Sequence, residues 1–157
     1  MENLVMDIKA GDNKYLHKDF HVTGDNGLMY VGQMYGDNGV REYLTQFTKA
    51  FYVPLFERYK EVDLTALMEH QKHLYEEEEM PEVFHYELSD ERLTITVDKC
   101  PGVTFMKEHG YTPSKWYIEL TRTVNMVIAD ELDLGFSLEY YNEEDGACKY
   151  SFFRRAF

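Results

Sequence analysis

The 157-residue sequence contains only two cysteines, four prolines and one tryptophan. Cys100 and Cys148 are too few for the disulfide framework of a small secreted domain, although a single bridge between them stays open. No segment approaches the run of about 18 apolar residues that predicts a membrane-spanning helix. Met1–Lys14 also lacks the basic start and apolar run of a signal peptide. We therefore expect a cytoplasmic protein.

Basic residues are scarce as well: 16 Lys and Arg stand against 29 Asp and Glu, which gives a formal net charge of −13. This excess repels phosphate backbones and anionic lipid surfaces, so we expect neither nucleic acid nor a membrane as a partner. The partners that remain are a small-molecule substrate or ligand and a second copy of the chain in a homo-oligomer. The 13 tyrosines and 10 phenylalanines predict a well-filled core and could line a cavity.

Apolar spacing predicts helices in the first half of the chain, at about residues 14–79. The i, i+3, i+4, i+7 pattern predicts one helix over 37–53, which Pro54 kinks or ends. A further helix follows, and His70 lies at the edge of its apolar stripe, where it could reach a cavity. The acidic run Glu76–Glu79 is typical of a solvated helix end.

Gly-Asp-Asn occurs three times, beginning at Gly11, Gly24 and Gly36. The spacing of 12 or 13 residues is too short for a solenoid repeat. A calcium loop would need spaced oxygen ligands ending in a glutamate, and these are absent. The copies are therefore predicted to cap helices or form turns.

Strands are predicted in the second half, at about residues 83–154. Period-2 alternation over 84–88 and 93–97 forms one hairpin, and alternation over 136–140 and 148–152 forms another. A helix from about 113 to 132 lies between them. The chain is thus predicted to be a single α+β domain over 1–157, in which an antiparallel sheet of about four strands packs against a helical layer.

The segment 93–113 carries the clearest chemical signal. Its strand ends at Cys100-Pro101, and a proline at the first helical position makes Cys100 the N-cap of a short helix. Unsatisfied N–H groups at a helix N-terminus stabilise a thiolate and lower its pKa, which predicts a reactive thiol. The alternative is that Cys100 is a small buried hydrophobe at the end of a strand.

The segment HKDFH places His17 and His21 four residues apart, on one face of a helix. Such a pair can hold a divalent transition metal with a carboxylate from elsewhere. The segment lacks the central glutamate of the HExxH zinc-protease motif, and spacing alone names no third ligand. The alternatives are therefore a metal site and an ordinary pair of partly buried histidines with no cofactor.

Three short motifs resemble the L-2-amino-thiazoline-4-carboxylic acid hydrolase-like family. They are Cys100-Pro101, the sequence EHGY at 108–111 and the sequence GACKYSF at 146–152, and the resemblance extends best over 84–153. It implies a hydrolase that opens a small cyclic amidine-type ring at a non-peptide C–N bond. The family pattern also places a cysteine and an aspartate on the following helix, whereas 116–130 contains no cysteine. If that pair is catalytic, this chain binds a related molecule without hydrolysing the same substrate.

The resemblance and the local chemistry together predict a catalytic site. Cys100 would be the nucleophile or a thiol that orients the substrate. The acid–base and metal candidates are His17 and His21, a third acid–base candidate is His109, and the predicted substrate-binding residues are His70, Tyr111 and Asn125. The alternative function is a non-catalytic domain that binds a small, metal-associated ligand in the same cavity. A further alternative is an oligomer whose exposed aromatic residues form the interface.

Overall fold

The computed structural model describes residues 18–58 and 64–156. It confirms the α+β class, the two hairpins and a four-stranded antiparallel sheet. A 3₁₀ turn, Pro81–Val83, precedes the first strand. In chain order the elements are α1 (Phe20–Phe51), α2 (Val53–Arg58), α3 (Leu64–Glu77), β1 (Phe84–Leu88), β2 (Arg92–Val97), α4 (Pro101–Glu108), α5 (Glu119–Glu131), β3 (Leu134–Tyr141) and β4 (Cys148–Arg154). No described helix is both long enough and apolar enough to cross a membrane.

Helix α1 is interrupted at Gly36, whose φ of 71° and ψ of −170° are not helical. Glycine adopts a positive φ readily because it has no Cβ, so the axis can change direction there. The helix predicted over 37–53 corresponds to the second half of α1 and the start of α2. Pro54 lies in the first turn of α2, just after the break at Tyr52, as the prediction required.

The Gly-Asp-Asn copies differ in role, and the copy at Gly11 lies outside the described residues. Gly24 lies inside α1, so the prediction of a cap is wrong there. Asp25 is buried and its carboxylate accepts hydrogen bonds from the Ser114 backbone N–H at 2.7 Å and the Ser114 hydroxyl at 2.6 Å. This copy therefore ties α1 to the segment that precedes α5.

Helix α5 begins at Glu119, later than the predicted start near residue 113. The residues just before Glu119 pack against α1 instead. The Trp116 side chain occupies the space beside Gly32, which has no side chain of its own. A Cβ built at Gly32 would lie 2.4 Å from a carbon of the Trp116 indole. The indole Nε1–H also donates to Asp37 at 2.8 Å. Tertiary contacts with both halves of α1 thus hold this segment outside the helix.

The sheet has the order β1-β2-β4-β3, so the two hairpins meet through β2 and β4. Leu93, Ile95 and Val97 of β2 are at most 2% exposed, as their period-2 spacing predicts. The inward residues of β4 are Cys148, Tyr150 and Phe152, and all three are buried. These two central strands supply the middle of the core, which the helices cover from one side.

Candidate functional site

A cavity of about 290 Å³ lies where α3, α5 and the start of α4 meet the N-terminus of α1. This volume is at the lower end of the range for small-molecule sites. Cys100, His21 and Glu78 contribute to one part of its lining, and the amides Gln71 and Asn125 contribute to another. Aromatic and aliphatic side chains supply most of the rest. The cavity thus combines reactive groups, neutral polar groups and an apolar wall.

Cys100 is the N-cap of α4 and Pro101 is its first residue, as predicted. The Cys100 backbone is extended, with φ −79° and ψ 127°, and its side chain makes no capping hydrogen bond. Its backbone N–H donates to the Asp145 carbonyl at 2.8 Å, which fastens the start of α4 to the β3–β4 turn. The partly buried thiol faces the cavity from a position that the backbone fixes.

The pKa of the Cys100 thiol is raised above its ordinary value, so the predicted lowering is wrong. Burial is the main cause, and the Glu78 carboxylate acts in the same direction. The backbone amides of Gly102 and Val103 and the Tyr117 hydroxyl favour the thiolate, but less strongly than burial disfavours it. Cys100 is therefore a neutral thiol near pH 7 and needs a base to become a nucleophile.

His21 and Glu78 form a largely enclosed pair. His21 Nε2 lies 2.9 Å from Glu78 Oε1, and the two side chains are 11% and 14% exposed. An ionised carboxylate at this position holds the proton on Nε2, which leaves Nδ1 as an acceptor. The Tyr117 hydroxyl lies 3.5 Å from His21 Nδ1 and also interacts with the Cys100 thiol. The four side chains therefore form one connected chain from thiol to carboxylate.

Gly102 provides the space in which this chain assembles. A Cβ built at Gly102 would lie 2.1 Å from the Tyr117 hydroxyl oxygen and 2.7 Å from His21 Nδ1. Both distances are shorter than van der Waals contact. A glycine in the first turn of α4 therefore allows the tyrosine and the histidine to approach the start of the helix.

A second polar chain crosses the cavity lining. The Tyr150 hydroxyl donates to Gln71 Oε1 at 3.1 Å, and Gln71 Nε2 donates to Asn125 Oδ1 at 3.2 Å. Asn125 Nδ2 in turn donates to the Thr121 carbonyl at 2.8 Å. Gln71 and Asn125 are 3% and 7% exposed, and their bonds fix both amides in known orientations. Each amide nitrogen keeps a second N–H that a ligand could use.

The remaining predicted residues lie away from the cavity. The His70 ring packs edge-on against Tyr52, with ring centroids 5.9 Å apart, and burial lowers its pKa. His109 is exposed at the end of α4, where its ring stacks on Phe105. Tyr111 is 51% exposed just beyond it. An eight-residue helix separates these last two from Cys100 by about 12 Å, which accounts for their distance from the thiol.

The metal hypothesis stays a prediction, because His17 lies outside the described residues. Within 18–58 and 64–156 no group of three or more His, Cys, Asp or Glu side chains could hold a metal ion. Both ring nitrogens of His21 face protein groups, Glu78 on one side and Tyr117 on the other. A metal ion bound by His21 would therefore have to displace one of these partners.

Glu78 and Tyr117 of the chain that starts at Cys100, and Gln71 of the second polar chain, were not predicted as site residues from sequence. Glu78 belongs to the acidic run that was predicted to be solvated, yet it is paired with His21. Tyr117 lies in the segment that was predicted to be helical from about 113 to 132, and it is 6% exposed. No family model matches the chain, and no curated protein matches it.

We expect alkylation of Cys100 by iodoacetamide to accelerate steadily as the pH rises past the ordinary thiol pKa of about 8.5. The raised pKa leaves less thiolate at neutral pH than a free cysteine has, so the rate at pH 7 should be lower than that of a cysteine peptide. Mass spectrometry of the modified peptide measures the rate. The Cys100→Ser variant is the control, because any alkylation that it shows occurs at Cys148. Burial raises the pKa of Cys148 to about 12. A rate that levels off below pH 8 would contradict the expectation.

Proposed function

We propose that the cavity is the active site of a hydrolase that opens a non-peptide C–N bond in a small cyclic amidine- or amide-like substrate. The observation that supports this most is the connected chain of Cys100, Tyr117, His21 and Glu78 at the cavity lining. It has the logic of a catalytic triad, with a tyrosine hydroxyl between the nucleophile and the imidazole. Membership of the family that the sequence resembles and a cytoplasmic location are parts of the same proposal.

The proton path follows from the contacts. Tyr117 passes its hydroxyl proton to His21 Nδ1 while its oxygen takes the proton of the Cys100 thiol. Glu78 stabilises the resulting imidazolium through Nε2–H. The thiolate adds to the amidine carbon, the ring C–N bond breaks, and the proton on His21 returns through Tyr117 to the leaving nitrogen. The carbon is then held on sulfur as a thioimidate when the substrate is an amidine, and as a thioester when it is an amide. Water gives a proton to His21 as its oxygen adds to that carbon, the C–S bond breaks, and the product leaves as an amide or a carboxylic acid. The proton returns through Tyr117 to the sulfur, which restores the thiol.

The cavity lining also constrains the charge of the substrate. Among its described residues are two carboxylates, Glu77 and Glu78, but no lysine or arginine. A buried carboxylate on the substrate would lose its hydration without gaining a cationic partner. A neutral or cationic amidine can instead face Glu77 and accept from or donate to the Gln71 and Asn125 amides. We therefore propose a substrate without a carboxylate, which differs from the acid in the family's name.

The proposal is tested with matched pairs of small cyclic amidines that do or do not carry a carboxylate. Product formation is followed by mass spectrometry, and binding by the shift in unfolding temperature. We expect turnover and stabilisation with the uncharged or cationic member of each pair, and neither with its carboxylate analogue. Preference for the carboxylate analogues would overturn the substrate assignment, and absence of any product would overturn the hydrolase.

The second candidate function is a non-catalytic binding domain for the same class of molecule. Two observations favour it: the raised pKa of the Cys100 thiol, and the long distance of 3.5 Å between Tyr117 and His21 Nδ1. Stabilisation of the protein by an amidine without any product is the result that selects this candidate over the hydrolase.

A further inference from the structure

We infer that two copies of the chain associate through the free edge of β1 in an antiparallel, two-fold pairing centred on Tyr86. The two sheets would then form one continuous sheet of eight strands. The inference depends on the edge of the sheet and is independent of the cavity. It starts from the position of β1, which pairs with β2 on one side and, among the residues that the structure describes, is the last strand of the sheet on the other.

The apolar side chains of β1 are only partly covered. Phe84 is 8% exposed, but Tyr86 is 45% exposed and Leu88 is 37% exposed. These three share one side of the strand because side chains alternate along it. Phe84 packs against Tyr75 of α3, with ring centroids 5.0 Å apart, and Tyr86 continues the row at 6.2 Å from Phe84. The apolar side of β1 is thus buried at Phe84 and exposed at Tyr86 and Leu88.

The hydrogen-bond pattern shows which backbone groups point away from β2. The Ser89 N–H donates to the Arg92 carbonyl at 2.9 Å, and the Asp98 N–H donates to the Val83 carbonyl at 3.0 Å. Hydrogen-bonded positions alternate in an antiparallel pair, so the backbone groups of His85 and Glu87 also face β2. Those of Phe84, Tyr86 and Leu88 face the free edge.

One of these edge groups is already engaged, because the Phe84 N–H donates to the Pro81 carbonyl. The Phe84 carbonyl and both backbone groups of Tyr86 and Leu88 have no strand partner within residues 18–58 and 64–156. An edge of this kind is a template for another strand. Tyr86 and Leu88 therefore have both backbone groups available for a further strand and an exposed apolar side chain.

The strand sequence, FHYEL, is complementary to itself when it is reversed about Tyr86. Phe84 of one copy then lies opposite Leu88 of the other, and the two Tyr86 residues lie opposite each other. On the other side of the sheet His85 lies opposite Glu87. His85 Nε2 already lies 2.7 Å from Asp98 Oδ2, so the imidazole has Nδ1 left for the Glu87 carboxylate of the other copy. The Tyr86 residues exchange two backbone hydrogen bonds, and each Leu88 N–H can donate to the opposite Phe84 carbonyl. A second copy of this chain thus matches the edge in apolar, charged and backbone groups.

The other edge of the sheet differs from β1. The pairing of β3 with β4 shifts between Leu138 and Tyr140, which is the irregularity of a β-bulge at Glu139. Bulges twist an edge and interrupt its hydrogen-bonding pattern, so they protect it against pairing. β1 contains no bulge, no proline and no lysine. The asymmetry between the two edges therefore assigns the contact to β1.

The proposed contact must overcome repulsion between two chains that each carry a formal charge of −13. Salt screens this long-range term but hardly affects the apolar and backbone contacts. Sedimentation velocity over a wide dilution series should therefore show a monomer–dimer equilibrium that moves towards the dimer as NaCl increases. A wild-type chain that stays monomeric at every concentration and salt level would overturn the inference.

Tyr86→Pro tests the backbone contact directly, because the Tyr86 N–H faces the free edge and proline is tolerated at such positions. We expect this variant to fold and to be monomeric. Tyr86→Thr is the matched control: it removes the ring but keeps the N–H, and should retain a weakened dimer. Circular dichroism and thermal unfolding verify the fold of each variant.

Hydrogen exchange on the wild-type chain gives a test that does not depend on any variant. The Tyr86 and Leu88 amides should exchange more slowly at high protein concentration than at low concentration, whereas the His85 amide should be unaffected. Amides at β1 that exchange at the same rate throughout would overturn the inference. Tyr43, Phe47 and Phe51 of α1 are also exposed. A dimer that survives Tyr86→Pro but is lost on Phe47→Ser would therefore assign the contact to α1 and overturn the inference as well.

Discussion

Cys100→Ser is expected to abolish hydrolysis while the fold remains intact. A serine hydroxyl has nearly the same shape as the thiol, but it is far less acidic and is a poor nucleophile without a strong base. The relay through Tyr117 and His21 is long, and it removes the proton of a thiol more readily than that of the less acidic hydroxyl. We therefore expect the rate to fall on the order of 10³-fold or more, as when other covalent nucleophiles are removed. Turnover of the amidine panel measures the loss.

Cys148→Ser is the matched control for this prediction. Cys148 is the other cysteine, and it points into the core with Tyr150 and Phe152. Its replacement should leave turnover near the wild-type rate but reduce the free energy of unfolding by about 1–3 kcal/mol, because a hydroxyl would be buried among apolar groups. Retained turnover in Cys100→Ser, with urea unfolding unchanged, would remove the thiol from the mechanism.

Gly102→Ala is expected to impair both stability and activity, although it adds only one methyl group. The new Cβ would fall 2.1 Å from the Tyr117 hydroxyl oxygen, so Tyr117 or the start of α4 must move. Overpacking of this kind costs about 1–3 kcal/mol of unfolding free energy. The displaced hydroxyl would also break the link between Cys100 and His21, so we expect turnover to fall with it.

Gly24→Ala is the control for Gly102→Ala. Gly24 is an exposed residue inside α1, and a Cβ built there meets no atom within 4 Å. Alanine is a better helix former than glycine, so this variant should gain about 0.5–1 kcal/mol of unfolding free energy and keep full turnover. Urea denaturation of the two variants side by side separates crowding at Gly102 from the general effect of alanine. Equal stability in both would contradict the steric argument.

The sheet was the most predictable part of the fold. Alternation along β2 and β4 has a period of two, and a shift by one residue would expose Leu93, Ile95 and Val97 to solvent. Such a pattern leaves little choice of register. Cys100 at the start of α4 was predictable for a similar reason, because Pro101 fits a first helical position and few others.

The site itself depended on contacts between distant parts of the chain. His21 and Glu78 are separated by 57 residues, and no spacing rule connects them. Glu78 is one of four consecutive acidic residues in the sequence, and only the fold brings it, just beyond the end of α3, to His21 at the start of α1. Tyr117 belongs to a segment that was predicted to be helical, and contacts with α1 override that preference. His109 and Tyr111 were chosen from a motif that turns out to lie at the far end of α4.

The predicted lowering of the Cys100 pKa was wrong because the sequence does not show how deeply the thiol is buried. The capping position is local and can be predicted from the proline that follows it, whereas burial depends on residues such as Tyr117 that the fold brings to Cys100. Local electrostatics favours the thiolate and desolvation opposes it, and desolvation is the larger effect here.

The contact between Trp116 and Gly32 can be followed by fluorescence. Trp116 is the only tryptophan in the chain, its indole packs against Gly32, and its Nε1–H donates to the Asp37 carboxylate. Its fluorescence therefore reports the contact between α1 and the segment before α5. Far-UV circular dichroism follows the whole backbone. If the emission changes before the circular dichroism on heating, the contact between α1 and the segment before α5 opens while most of the secondary structure persists.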